Sequence, residues 1–133
     1  MKERLERLEK ALDDLLEVCL NRTVLVEGPK DRMAVTLLGV QGEILCVQSD
    51  GPLRTAEKLF NEKKEAVILT DWDKKGESIA KELENALSSL CVKYDDTVRS
   101  KIRSVCAGEI KDVQSLPSFY CRLVTESLRM EKI

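Results

Sequence analysis

The chain is predicted to be an α/β protein: a mainly parallel sheet of about four strands, flanked by helices, with an extra helix at the N-terminus. Three observations predict this. Short apolar runs alternate with helix-period segments along most of the chain, the pattern of strand–helix–strand units. Two of those runs exit into acids followed by a glycine: Thr23-Val24-Leu25-Val26-Glu27-Gly28-Pro29-Lys30-Asp31 and Ala66-Val67-Ile68-Leu69-Thr70-Asp71-Trp72-Asp73-Lys74-Lys75-Gly76-Glu77. The 133 residues, 43% of them apolar, are the length of one ordinary domain and enough to build a real core.

Each element has its own justification. Residues 2–20 place Leu5, Leu8, Leu12, Leu15 and Cys19 at helical spacing, giving an amphipathic helix with a narrow stripe. That stripe either covers the chain's own sheet or meets a partner helix, from another protein or a second copy. Residues 23–27 form a β-branched run. Pro29 suits the first turn of the helix that follows, over about 29–38, because its missing N–H would be unpaired there anyway. Gly39 ends that helix. Ile44-Leu45-Cys46-Val47 reads as a second strand, Ser49-Asp50-Gly51-Pro52 as a turn, and 53–63 as a helix. Residues 66–70 form the third strand. Ile79, Ala80, Leu83, Ala86, Leu87 and Leu90 mark a long helix after Gly76, and Cys91-Val92-Lys93-Tyr94 a short fourth strand. Asp95 or Asp96 would cap a helix through Val98, Ile102 and Val105, broken at Gly108. A last helical segment runs from Asp112 to Leu128. Pro117 is poorly tolerated inside a helix, so this segment is either two pieces or begins near Pro117. The expected division is an N-terminal amphipathic helix, 1–21, packed on a domain over 22–133 that ends in a helical extension.

Composition excludes several chemistries. There is no histidine, so serine–histidine and cysteine–histidine catalysis and histidine-bearing zinc sites are out. A net charge of −2 argues against a generally basic nucleic-acid coat, so phosphate contacts must be local or run through a bound metal. The five cysteines, Cys19, Cys46, Cys91, Cys106 and Cys121, form no CxxC pair and read as reduced, buried thiols of a cytoplasmic protein. No stretch reads as a signal peptide or membrane span.

The chemistry concentrates at the strand exits. Ligands of parallel α/β sheets collect at the carboxyl ends of strands. If the two strands are close, Glu27, Asp71 and Asp73 converge, and hard carboxylate oxygens suit magnesium or manganese beside phosphate. Acids at i and i+2 off a strand point the same way, with Trp72 pointing opposite into packing. Glu27 is either a third metal ligand or a general acid or base. Gly28 and Gly76 let backbone approach a ligand closely, and the helix starts after Glu27-Gly28 and after Asp73 offer N–H groups suited to phosphate. Lys30, Arg32, Lys74 and Lys75 are candidate cationic contacts, with Arg54 and Lys111 possible additions from other strand ends. The plainer readings are that Asp71 and Asp73 cap a helix, that Asp31 is a first-turn helix charge, and that Lys74-Lys75 is a solvated face.

The Glu27-Gly28 exit followed by Asp71-x-Asp73-x-x-Gly76 resembles the Toprim domain of type IA and type II topoisomerases, bacterial-type primases, OLD-family nucleases, RecR proteins and ribonuclease M5. The resemblance runs over about residues 22–94 and implies the three-layer Toprim-like fold. Lys111-Asp112-Val113 further resembles a downstream Lys-Asp element of primase-like and ribonuclease M5-like members. With Trp72 and Arg99-x-x-Ile102, the chain looks most like the small stand-alone Toprim proteins of archaea. The resemblance implies that Glu27 is the conserved general acid/base and that Asp71 and Asp73 bind magnesium. It does not fix the reaction. Tyr94 and Tyr120 match no topoisomerase nucleophile motif. The primase zinc and polymerase regions, the OLD ATPase half, the RecR zinc element and the ribonuclease M5 extension have no counterpart here. A haloacid-dehalogenase phosphatase would need threonine or valine where Lys75 stands, and a response-regulator receiver an early acidic pair. The expected function is magnesium-dependent (or manganese-dependent) processing of nucleic-acid phosphodiesters, nuclease-like. The alternative is a non-catalytic module that binds nucleic acid or nucleotide within a larger assembly.

Overall fold

The computed structural model describes residues 2–131. Four parallel strands form one sheet in the order β2-β1-β3-β4, with β1 (Arg22–Val26) and β3 (Glu65–Ile68) inside and β2 (Ile44–Cys46) and β4 (Tyr94–Asp95) at the edges. The helices are α1 (Lys2–Val18), α2 (Pro29–Leu37), α3 (Val47–Asn61), α4 (Lys74–Ser89), α5 (Thr97–Cys106) and α6 (Leu116–Glu131). Short 3-10 turns stand at Cys19–Asn21 and Val113–Ser115. The expected α/β architecture, parallel sheet and N-terminal helix are all present.

β1 is apolar at consecutive positions because both of its faces are covered. Val24 and Val26 enter a core shared with α1, α2, α5 and α6, whereas Leu25 enters a second core with α3 and α4. β3 divides the same way, Val67 and, just past the strand, Leu69 to the first core, Ala66 and Ile68 to the second. The path steps outward from β1 to β2, then crosses back past β1 to β3 and on to β4. Right-handed crossovers require opposite faces for the two directions of travel, so α2 lies on one face and α3 and α4 on the other. The reversal point falls between β1 and β3, where such sheets leave a crevice at their carboxyl ends.

The predicted stripe of α1 is buried from Leu8 through Leu12 and Leu15 to Cys19, and the helix lies against α5 and α6. Arg4 ties it down: Nε donates to the Val105 carbonyl at 3.0 Å and Nη1 to Glu109 at 2.6 Å. No helix among the described residues is long and apolar enough to cross a membrane.

Three local expectations change, and one open alternative, at the C-terminal segment, closes. The Ser49–Pro52 turn is a break inside a helical segment that already starts at Val47; Gly51 takes φ 83, a left-handed conformation glycine adopts without penalty, and Pro52 opens the second stretch. β4 forms at Tyr94–Asp95 rather than from Cys91, because Cys91 itself takes φ 57 in the turn leaving α4. The C-terminal segment is two pieces: Asp112 caps the 3-10 turn through Ser115 N–H at 2.8 Å, and Pro117 lies in the first turn of α6. All five cysteines are free, but only Cys19 and Cys106 are buried; Cys91 and Cys121 are exposed, Cys91 just past α4 and Cys121 on the outer side of α6.

Leu15 is fully buried, so Leu15→Ala should lower unfolding free energy by about 2–5 kcal/mol. Exposed Glu17→Ala should stay within ~0.5 kcal/mol. Urea denaturation of both variants measures the difference, and equal midpoints would show that α1 is not part of the core.

Candidate metal centre at the carboxyl ends of β1 and β3

β1 and β3 pair with Val24 beside Val67 and Leu25 beside Ile68, and the ladder continues as Leu69 N–H donates to the Leu25 carbonyl at 2.9 Å. Glu27 therefore leaves β1 beside the segment that follows β3. Asp71 N–H donates to Glu27 Oε2 at 2.8 Å, which joins the two exits directly. The Asp71 carboxylate turns the other way along the chain: its Oδ1 accepts the Val113 N–H at 2.9 Å. Asp73 is the N-cap of α4, with Oδ1 accepting the Gly76 N–H at 2.7 Å. The capping reading and the ligand reading thus meet in one side chain. One oxygen from each of Glu27, Asp71 and Asp73 lies within 4.8 Å of the other two.

The two motif glycines differ in kind. Gly76 is buried against the Asp71 main chain, and a Cβ there would collide with the Asp71 carbonyl. Thr70 Oγ1 also donates to the Gly76 carbonyl at 2.9 Å, locking the approach. The reason for glycine at 76 is therefore internal packing. At Gly28 the conformation is extended, and a Cβ would meet only the tip of Gln48, 2.8 Å away.

Negative charge is crowded here. Glu27 is 5% exposed and Asp31 8%. Asp31 Oδ2 accepts the Gly28 N–H at 3.0 Å, so the residue expected to be a simple helix charge is a buried member of the site. Burial pushes the Asp31 carboxyl above its ordinary range; the Gly28 N–H opposes that shift and the charges of Glu27 and Asp112 add to it. Asp71 is pushed up to about 7, first by burial and then by Asp31 and Glu27, against the opposing Val113 N–H. Three converging carboxylate oxygens without nitrogen or sulfur match the donor preference of magnesium or manganese, and a divalent cation would relieve the crowding. Glu27, Asp71 and Asp73 would hold it.

The acids line a cleft of about 470 Å³ whose wall also carries Gly28, Lys30, Lys75, Gln48 and Gln114. Of the cations expected nearby, Lys30 and Lys75 reach this wall. Arg32 turns to the Ile44 carbonyl at 3.2 Å. Lys111 accepts the Trp72 N–H at its carbonyl, 3.0 Å away; Lys111, Lys74 and Arg54 are exposed and do not line the cleft. Trp72 packs on the core as expected and donates Nε1–H to the Ile110 carbonyl at 2.7 Å. Gln48 and Gln114 were not singled out by sequence; Gln48 carries a usable signal, since it stands two residues past the end of β2.

A parallel sheet that sets a glutamate beyond β1 beside an Asp-x-Asp beyond β3 defines a class, and comparison with known families gives the same answer: the Toprim domain matches residues 22–103, and the chain belongs to that family. Toprim domains are a metal-binding, nucleic-acid-processing family. More particularly, the chain is similar over nearly its whole length to archaeal UPF0292 proteins. It is 33% identical over 123 residues to the UPF0292 protein of Methanosarcina barkeri, covering 92% of this chain and 86% of that one. Identity to the Thermococcus sibiricus protein is 35% over 127 residues, covering 96% and 97%. Among solved structures, a protein from Aquifex aeolicus shares the fold with a TM-score of 0.69 at 20% identity, over 80% of this chain and 95% of that chain. The likeness to small archaeal Toprim proteins, read from the motifs alone, is correct.

Two measurements test the site's physics. The folded Asp71 carboxyl titrates above its ordinary 3.8, so its proton favours the folded state. That contribution is complete below about pH 4 and is lost as pH rises through about 7. In chelator, the melting temperature should therefore fall by at least ~5 °C between pH 5 and 8, and Asp71→Asn should flatten the dependence. Gly76→Ala should cost at least ~2 kcal/mol in urea denaturation, because the methyl meets backbone that cannot give.

Proposed function

We propose that this protein is a magnesium- or manganese-dependent, nuclease-like processor of nucleic-acid phosphodiesters. The observation that carries the reading is the convergence of Glu27, Asp71 and Asp73 within 4.8 Å at the sheet's switch point. Asp71 and Asp73, with Glu27, hold the ion. When bound, the ion offsets phosphate charge and assists the attacking or leaving oxygen. Glu27 is the general acid/base: it is buried at the cleft floor, where a proton can pass to or from an oxygen of the phosphodiester. Lys30 and Lys75 on the cleft wall draw the phosphate in, with Arg32, Lys74 and Lys111 contacting the strand further out. The main chain at Gly28 and the first turn of α2 frame the phosphate, while Gly76 serves the site only by letting the acidic loop close on itself. RNA or DNA is the partner and the cytoplasm the location. In this reading residues 22–133 form the Toprim-like unit with its helical extension, and 1–21 an added helix packed on it.

A second reading has its own support. Glu27 Oε2 already accepts the Asp71 N–H, so the glutamate has a structural task independent of chemistry. A non-catalytic module, binding nucleic acid or nucleotide through the same ion beside a protein partner or a second copy, would use the site in that way.

Labelled single- and double-stranded RNA and DNA incubated with manganese or magnesium decide between them. The nuclease reading expects cleavage by the wild type that falls at least ~100-fold in Glu27→Gln and in Asp71→Asn and vanishes with chelator. Nucleic-acid binding with no cleavage would sink it in favour of the module. Calorimetry showing no uptake of either ion would sink both.

A further inference from the structure

Arg99, on α5, is the only buried cation among the described residues, 6% exposed. Burying a guanidinium is costly unless it is paired and hydrogen-bonded. This one is: Nε donates to the Thr70 carbonyl at 2.9 Å, and Nη2 to the Asp71 carbonyl at 2.7 Å and to Glu77 Oε1 at 3.0 Å. Arg103 Nη1 donates to the same Glu77 oxygen at 2.9 Å. One planar fork thus grips two consecutive main-chain carbonyls, a geometry a lysine ammonium cannot reproduce.

Those carbonyls belong to the stretch between Ile68, where β3 ends, and Lys74, where α4 begins. The stretch carries Asp71 and Asp73; its ends are tied to the sheet at Leu69 and to α4 at Asp73, and between them the Thr70 and Asp71 carbonyls lie outside both ladders. None of the guanidinium's hydrogen bonds goes to the carboxylates of Glu27, Asp71 or Asp73. Arg99 therefore orients the acidic loop from behind and leaves its oxygens to an incoming cation. We propose that Arg99 is a positioning residue of the metal centre: its fork on the Thr70 and Asp71 carbonyls makes the Asp71 and Asp73 carboxylates converge on Glu27. The consequence for metal affinity rests on the functional reading above; the positioning itself does not.

The test compares wild type with Arg99→Lys, Arg99→Met and, as a milder change, Glu77→Gln. Amide hydrogen exchange is followed by NMR, and manganese affinity by calorimetry. The amides to watch are Asp71, bonded to Glu27, and Val113, bonded to Asp71, with Leu69 in the β ladder as internal reference. Positioning expects exchange at Asp71 and Val113 to quicken at least ~10-fold relative to Leu69 in both Arg99 variants, less in Glu77→Gln, with manganese affinity falling ~10-fold. Keeping the positive charge, as Arg99→Lys does, should not restore either. Uniform quickening of all three amides would mark a purely structural arginine and overturn the proposal. So would full recovery in Arg99→Lys. If the wild type takes up no manganese, the metal-centre reading falls, and the exchange pattern still decides what Arg99 does. If Arg99→Met fails to fold, Arg99→Lys and Glu77→Gln give the same comparison.

Discussion

The in-register parallel pairing of β1 with β3 is the constraint on which the rest of this molecule depends. These strands are far apart in sequence, and each alone would deliver an acid to an unrelated place. Paired as Leu25 with Ile68, they bring Glu27 within 2.8 Å of the Asp71 main-chain nitrogen. A slip of one residue would exchange every side chain between the two cores and separate the acids at the same time. Selection for a packed sheet and selection for a site are, at this edge, the same requirement. The two faces supply that rigidity differently: α3 and α4 cover one with a stretch of chain lying between β1 and β4, while α2 together with α1, α5 and α6, from beyond those strands, closes the other.

Crowded carboxylates would normally drive such a site apart. Here each acid is restrained by main-chain N–H groups: Gly28 holds Asp31, Gly76 holds Asp73, Val113 holds Asp71 and Asp71 holds Glu27. These donors cost no side-chain entropy and cannot swing away. The Gly28 and Val113 N–H groups favour ionised Asp31 and Asp71, yet burial and the neighbouring negative charges still prevail at both. The fold thus holds the carboxylates converged, and a cation settling among them would displace the proton that Asp71 otherwise keeps.

How far this was legible in the sequence depends on the range of the contact. The strand exits announce themselves through β-branched runs ending in acid and glycine, so Glu27, Asp71 and Asp73 are readable, as is the cap role of Asp73. Proximity in sequence is a poorer guide for the cations. Each helical residue turns by about 100°, so Lys30 faces the cleft while Arg32, two positions on, faces β2. Asp31 looks like a surface charge because nothing local reveals that a distant loop buries it. Val113 belongs to the Lys111-Asp112-Val113 element read from the sequence, but nothing there reveals that its N–H meets Asp71, and Gln114 beside it carries no local signature of its place on the cleft wall. Gly51 shows the same limit in the backbone: Gly-Pro marks a break, but not that a helical turn precedes it.

The Val113 contact has a consequence for how the molecule comes into being. Residues 22–95 hold every strand and the helices of one face, so the sheet is complete once that stretch of chain is available. The acid at 71 then waits for a nitrogen forty-two positions downstream. During synthesis, at about 5–20 residues per second, that is an interval of seconds in which the nascent chain has a sheet but only a half-built cluster of acids. The cluster of acids is completed only with the last pieces laid over the finished sheet, and a chain stalled before residue 113 would carry both signature motifs without the nitrogen that holds Asp71.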